Sequence, residues 1–369
     1  MKTRILLITT ITLINLFLIA QNSKNNSYGR YEGTADSNIH VTANIVKLDG
    51  NLTGNYNYHN PGNGDNESYS NSIPFTGDLT DQNFSLNSYG NNDILLSGIM
   101  DQGTLNGDWY YQNDNVIPFE VSEQYPEGSI PFVVYYLHSE DRLLKDNTDS
   151  PVAEIELTLI YPINSETNTA VDSVCYHIAN GFFGNGFFHN IPDSMLTRFE
   201  NEYYNNYSQQ NLERYDNGAS FNWQKVVSMS VINNSDYLLC VEFIKYAFTG
   251  GAHGMTNIAY QNINLKDGNE LTYNDIFNKD SKILLSELLT EQLYTDKQIP
   301  TDITLKKAGY FVESIEPNYN IYINNTGIGF LYNSYEIAPY SYGQTSVFLK
   351  YDKIKHLLKT NSPVFNLIK

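Results

Sequence analysis

Positive charge, cysteine and long apolar runs are all scarce in this chain of 369 residues. Lysine and arginine together number 22 against 41 acidic residues, a formal charge of −19. Such a balance repels nucleic-acid phosphates and anionic membrane surfaces, so no nucleic-acid partner is expected, whereas basic partners are drawn inward. The bland reading of the same charge is a solubilising surface. Two cysteines, Cys175 and Cys240, and a few scattered histidines give no metal-site spacing. Neither a metal nor a cofactor is therefore expected. In an exported setting the two cysteines can pair, provided one lies on a helix packed directly over the other's strand. Two buried free thiols are the alternative. No Gly-x-Ser-x-Gly elbow, His-Glu-x-x-His pair or P-loop occurs, which points away from an enzyme.

The one long apolar run opens the chain. Met1 to Arg4 is basic, Ile5 to Ala20 is apolar and Gln21 to Lys24 is polar, so residues 1–20 read as a signal peptide. An uncleaved anchor is the other reading. The run is interrupted by Thr9, Thr10, Thr12 and Asn15, and it is short against the roughly 20 residues a spanning helix needs. Nothing later is long enough to cross a membrane, and an exported protein is expected.

Residues 21–124 read as all-β, a meander or small barrel. Apolar and polar residues alternate from Ile39 to Val46, and turns fall at Asp49-Gly50-Asn51, Gly77-Asp78 and Gly103. Leu52-Thr53-Gly54-Asn55-Tyr56 is echoed by Leu105-Asn106-Gly107-Asp108-Trp109, and glycine at such places permits sharp curvature. Trp109, Tyr110 and Tyr111 are the sugar-stacking candidates here, with a core role as the commoner one. Residues 125–369 read as α+β, antiparallel hairpins with two to three packed helices. Helices are expected over Ala170 to Phe182, after Pro192 and over Ser281 to Tyr294. Strands are expected over Trp223 to Ile232, Leu238 to Phe248 and Met255 to Leu265.

Two stretches carry the candidate site. Thr249-Gly250-Gly251-Ala252-His253-Gly254 sits between two strand patterns, where glycines supply φ > 0 and hold backbone and one imidazole in place. Tyr335-Glu336-Ile337-Ala338-Pro339-Tyr340 is an aromatic and acidic segment stiffened by proline. Gly250, Gly251, His253, Gly254, Tyr335, Glu336, Pro339 and Tyr340 are the expected binding residues. The other reading makes Tyr335 and Ile337 core with only the proline turn exposed, and His253 a structural imidazole bonded to turn carbonyls. A glycan hydrolase would need His253 and a distant carboxylate. Glu154 and Glu156 share the outer face of one strand and read as solvated.

Taken in order, Leu238-Leu239-Cys240-Val241-Glu242-Phe243, Tyr246 to Gly254, Asn264-Leu265-Lys266-Asp267-Gly268, Gly327-Ile328-Gly329-Phe330 and Tyr335 to Tyr340 resemble the exported domain of unknown function 3298 with its upstream partner domain. The resemblance spans roughly residues 150–352, the upstream part about 130–250 and the 3298 part about 251–355. That family includes the lysozyme-binding ectodomain of RsiV-type anti-sigma factors and the accessory domain of some peptidoglycan deacetylases. The first third looks like a module of exported Bacteroidetes-type proteins. The resemblance implies the periplasm or cell surface of a Gram-negative bacterium. It also implies a non-enzymatic binding protein that captures lysozyme, another basic protein or peptidoglycan.

Overall fold

In the computed structural model, residues 26–62, 68–89, 93–111, 115–163, 169–215 and 221–368 are described; the expected signal peptide lies outside them. Nine short strands come first: β1 (Ser27–Ala35), β2 (Ile39–Leu48), β3 (Asn51–Asn60), β4 (Ser68–Tyr69), β5 (Ile73–Thr80), β6 (Asn83–Ser88), β7 (Ile94–Asp101), β8 (Thr104–Tyr111) and β9 (Asn115–Glu123). Their order is β2-β1-β9-β8-β7-β6-β5-β3, and pairing of β2 with β3 closes an eight-stranded antiparallel barrel, with β4 added to the end of β3. Period-two alternation turns Leu52, Phe75, Phe84, Leu105, Trp109 and Phe119 into the interior.

Closure needs tight strand crossings, and glycine provides them. Gly98 of β7 lies opposite Gly107 of β8, and a methyl on either would overlap the other strand's backbone oxygen. The sugar-stacking role considered for Trp109 does not stand. Its ring is 2% exposed and packs edge-on against Tyr56 and Tyr58, centroids 5.9 and 5.0 Å away.

The second half is α+β, as the hairpin and helix patterns imply. Strands β10 (Phe132–Arg142), β11 (Val152–Pro162), β12 (Trp223–Ser235), β13 (Leu238–Phe248) and β14 (Met255–Asn264) form one sheet in chain order. Only β11 and β12 run parallel. A parallel step requires a long crossover, here made by α1 (Thr169–Phe183) and α2 (Pro192–Asn211). Both helices cover one face of the sheet, burying Val174, Ile178 and Phe182 against Leu157, Val227 and Phe243.

Beyond the sheet come α3 (Tyr273–Ile276), α4 (Ser281–Asp296), a three-stranded sheet of β15 (Ile321–Ile323), β16 (Gly327–Tyr332) and β17 (Thr345–Lys350), and α5 (Tyr351–Ile354). Thr272 opens α3 with a capping box: its N–H and hydroxyl both donate to the Asp275 carboxylate, at 2.9 and 2.6 Å. Leu285, Leu289 and Leu293 of α4 pack on Phe330 and Val347.

The barrel is bonded to both later sheets. Asn55 Nδ2 donates to the Val231 carbonyl of β12, Asn71 Nδ2 to the Tyr322 hydroxyl, and the Thr326 hydroxyl to the Ser70 carbonyl, each at 2.8 Å.

The cysteine pairing does not form. Cys175 lies on α1 in the core between helices and sheet, whereas Cys240 points through the opposite face, packed with Ile232 and Tyr322. The sheet itself separates the two thiols. Burial pushes Cys175 up to about 11, largely by desolvation, and holds Cys240 further above its ordinary value. Both are therefore protonated at neutral pH and shielded. Ellman's reagent is expected to label neither thiol in the native protein and both after unfolding. Rapid native labelling of one would show that its side of the sheet opens.

Candidate functional site

The two stretches singled out in the sequence meet in space. The β13–β14 hairpin turns through Gly250 (φ +90°) and Gly251 (φ +102°), conformations that side chains rarely adopt. Gly254 is set by packing: a methyl there would collide with the ring of Tyr246. The turn thus delivers His253 to the end of the hairpin, where its Nδ1 lies 2.9 Å from the Gly254 carbonyl. Across 87 positions of sequence, the ring of Tyr340 stacks on the imidazole with centroids 4.2 Å apart and planes 22° from parallel. The Tyr340 hydroxyl donates to the same Gly254 carbonyl at 3.0 Å.

Tyr335 completes the group, its centroid 5.8 Å from that of Tyr340. Its φ is +72°, unusual for a side chain of this size, and its N–H donates to the Ala338 carbonyl at 3.1 Å. Ile337 and Ala338 are buried beneath, and Pro339 leads into the 3₁₀ turn Tyr340–Tyr342. Tyr335 is 51% exposed and Tyr340 38%. The core reading therefore holds for Ile337 and fails for Tyr335. Glu336 is exposed and makes no ion pair with a described residue.

What fixes the loop against the hairpin is a pair of asparagines missed in the sequence. The Asn333 amide accepts the Ile258 N–H at 2.8 Å and donates to the Ile258 carbonyl at 2.9 Å. Asn320 repeats the arrangement, donating to the Ile258 carbonyl and accepting from the Tyr260 N–H. These side chains imitate a neighbouring strand along the free edge of β14 and blunt that edge. No pattern signal marks them, since the sequence contains many asparagines in loops.

His253 has no carboxylate partner among the described residues, so the pairing a hydrolase was expected to need there is absent. An imidazole–carboxylate pair does lie elsewhere, on the face of the five-stranded sheet away from the helices. His138 Nε2 is 2.8 Å from Glu154 Oε1, and Gln224 Nε2 is 3.4 Å from Glu154 Oε2. Register places them together: His138 stands opposite Glu156, Glu154 opposite Gln224. Glu154 is thus partnered rather than merely solvated. No group of three or more histidine, cysteine or acidic side chains suited to a metal occurs among the described residues. No helix among them is long and apolar enough to cross a membrane.

Comparison with known proteins divides this half of the chain in two. Residues 274–352 match the family described as a protein of unknown function, DUF3298. Residues 150–256 match the model described as deacetylase PdaC. Neither match spans half of the chain. The chain is 24% identical over 226 residues to the peptidoglycan-N-acetylmuramic acid deacetylase PdaC of Bacillus subtilis, covering 60% of this chain and 46% of that protein. The chain thus spans about half the length of this curated relative. A DUF3298 family crystal structure from Bacteroides fragilis is 26% identical with a TM-score of 0.59, covering 65% of this chain and 98% of that one. A DUF3298 family protein from Pseudomonas aeruginosa covers the same shares at 18% identity and a TM-score of 0.46. The names of these relatives mention neither lysozyme nor an anti-sigma factor. The expectation of a non-enzymatic protein, which rested on missing motifs and on the family resemblance, is overturned by the likeness to a deacetylase.

Proposed function

We propose that this chain is an exported cell-envelope protein directed at the glycan strands of peptidoglycan, and that it alters them hydrolytically. The observation that carries the proposal is the match of residues 150–256 to deacetylase PdaC, together with the likeness to a peptidoglycan deacetylase over 60% of the chain. The exposed rings of His253, Tyr335 and Tyr340 supply the contact surface. Apolar ring faces pack against the C–H faces of sugars at low entropic cost, and the surrounding Gly250, Gly251, Gly254 and Pro339 hold them rigid. Glu336 adds an acceptor beside them. Removal of an N-acetyl group needs an activated water and a donor for the developing oxyanion. His138 with Glu154 is the shorter of two described imidazole–carboxylate pairs, the other being His177 with Glu270 at 3.4 Å, and Gln224 is its neighbouring amide donor.

The test uses the full chain and purified sacculi. Co-sedimentation with sacculi and release of acetate or new reducing ends are expected, with release falling in His138→Ala. Absence of both binding and release would overturn the proposal, and binding without release would remove its hydrolytic part. Tyr340→Ala is expected to weaken sacculus binding by about tenfold, the scale of losing one stacked aromatic contact of roughly 1.4 kcal/mol. Unchanged sedimentation of that variant would remove the aromatic contact from the proposal.

A further inference from the structure

On the helix-covered face of the five-stranded sheet two lysines stand side by side. Lys225 of β12 pairs with Ala247 and Lys245 of β13 pairs with Val227, so the two are diagonal neighbours on the face that also carries Val227 and Phe243. His138 and Glu154 lie on the opposite face. Both lysines are half-buried. The Lys225 ammonium sits over two rings of α2, 4.6 Å from the centroid of Phe199 and 5.5 Å from that of Tyr203. The end of α1 lies beside Lys245, because Gly181 rests on the ring of Phe243, two positions earlier on the same face. Asn257 of β14 is exposed and stands directly opposite Lys245.

Neither ammonium is ion-paired among the described residues. Acids were available, since the chain has 41 of them against 22 basic residues. Those that flank Phe199 and Tyr203 on α2 are engaged elsewhere: Glu200 accepts the Ser139 hydroxyl, and Glu202 accepts the Arg198 guanidinium at 2.8 Å. Burial lowers both ammonium groups below the ordinary lysine value, and at Lys245 the charge of Lys225 lowers it further. Two like charges held together and partly withdrawn from water cost stability unless an anion joins them. The donors indicate which anion. Lysine offers a compact point charge rather than the planar fork by which arginine grips a carboxylate. Two such charges suit a tetrahedral oxyanion that itself carries two.

We propose that Lys225, Lys245 and Asn257 form a binding site for a phosphoryl group, with both ammonium groups on its oxygens and the Asn257 amide as a third donor. The site is separate from the exposed rings and from the imidazole–carboxylate pair, and it does not depend on the glycan-directed reading.

Isothermal titration of the full chain at fixed ionic strength tests it, with inorganic phosphate, glycerol 3-phosphate and acetate as probes. Saturable binding of phosphate is expected, about tenfold tighter than acetate, the scale of one further hydrogen bond between charged groups. Glycerol 3-phosphate binding alongside it would assign the phosphoryl group of a larger molecule, and phosphate alone a free ion; either result supports the site. Lys245→Met is expected to weaken phosphate by about tenfold or more. In phosphate-free buffer its Tm is expected to match or exceed the parent's, because one of two repelling charges is gone. Lys245→Arg, which keeps the charge, is expected to retain binding. No binding of phosphate, equal binding of acetate, or undiminished binding by Lys245→Met would overturn the proposal. A lower Tm of Lys245→Met in phosphate-free buffer would assign the lysine to the fold and overturn it as well.

Discussion

Gly98→Val is expected to destabilise the barrel by about 3 kcal/mol or more, the upper range for overpacking a closed core. Gly98 and Gly107 face each other on β7 and β8, and a side chain on either would overlap backbone of the partner strand. Rotamer changes cannot relieve such an overlap, because the obstructing atom is the Asn106 carbonyl oxygen, itself part of the strand ladder. The strands would have to part, and closure through β2 and β3 would be strained in turn. The two tryptophans allow a site-specific reading, since Trp109 is buried in the barrel and Trp223 in the later core. Fluorescence-detected urea unfolding of single-tryptophan proteins is expected to show an early transition at Trp109 and a much smaller change at Trp223. A Gly98→Val protein unfolding at the parent's midpoint would show that the barrel opens there without cost.

The second large effect is a pH dependence carried by Glu242 on β13. Its carboxylate accepts the Tyr260 hydroxyl at 2.6 Å and is also bonded by Ser230, and the Tyr260 ring packs against that of Tyr322 at 4.9 Å. Desolvation outweighs those bonds and raises the carboxyl above the ordinary glutamate value. The native state therefore keeps a proton that the unfolded chain has already released. The stabilisation from that proton is complete below the unfolded glutamate value and is lost as pH rises towards the native one. Glu242→Gln keeps the acceptor without the charge. It is expected to raise Tm by about 3 °C near pH 7.5 and to leave it unchanged near pH 4, as a change of roughly 1 kcal/mol would. An equal shift at both pH values would show that the effect is packing rather than ionisation.

Most of the architecture was legible wherever pattern and punctuation coincide. The β13–β14 hairpin was found because alternation runs unbroken on both sides of a glycine-rich turn. The helix after Pro192 was found because proline fits a first helical turn and Leu196, Tyr203 and Tyr207 fall on one buried stripe. Barrel closure was legible only as far as the glycine echo, since pairing of β2 with β3 is a matter of register. Of the site, both segments were visible but their meeting was not. The stacking of His253 on Tyr340 depends on Asn320 and Asn333 gripping β14, a side-chain arrangement with no periodic signature. The cysteine pairing failed for a related reason: Cys240 falls on the face of β13 that α1 does not cover, and a bulge between Val231 and Asn233 shifts the register beside it.

The three amide and hydroxyl bonds between the barrel and the later sheets bear on how this protein can be dissected. Cleaving the chain near residue 125 would strip Val231, Tyr322 and Thr326 of partners contributed by Asn55, Asn71 and Ser70. Tyr322 is buried and stays tied to Ser346, so the exposed remnant would be a wet, half-satisfied seam rather than a finished surface. A fragment lacking the first third would tend to self-associate through that seam, and any avidity it showed for a sacculus would mix this stickiness with genuine recognition.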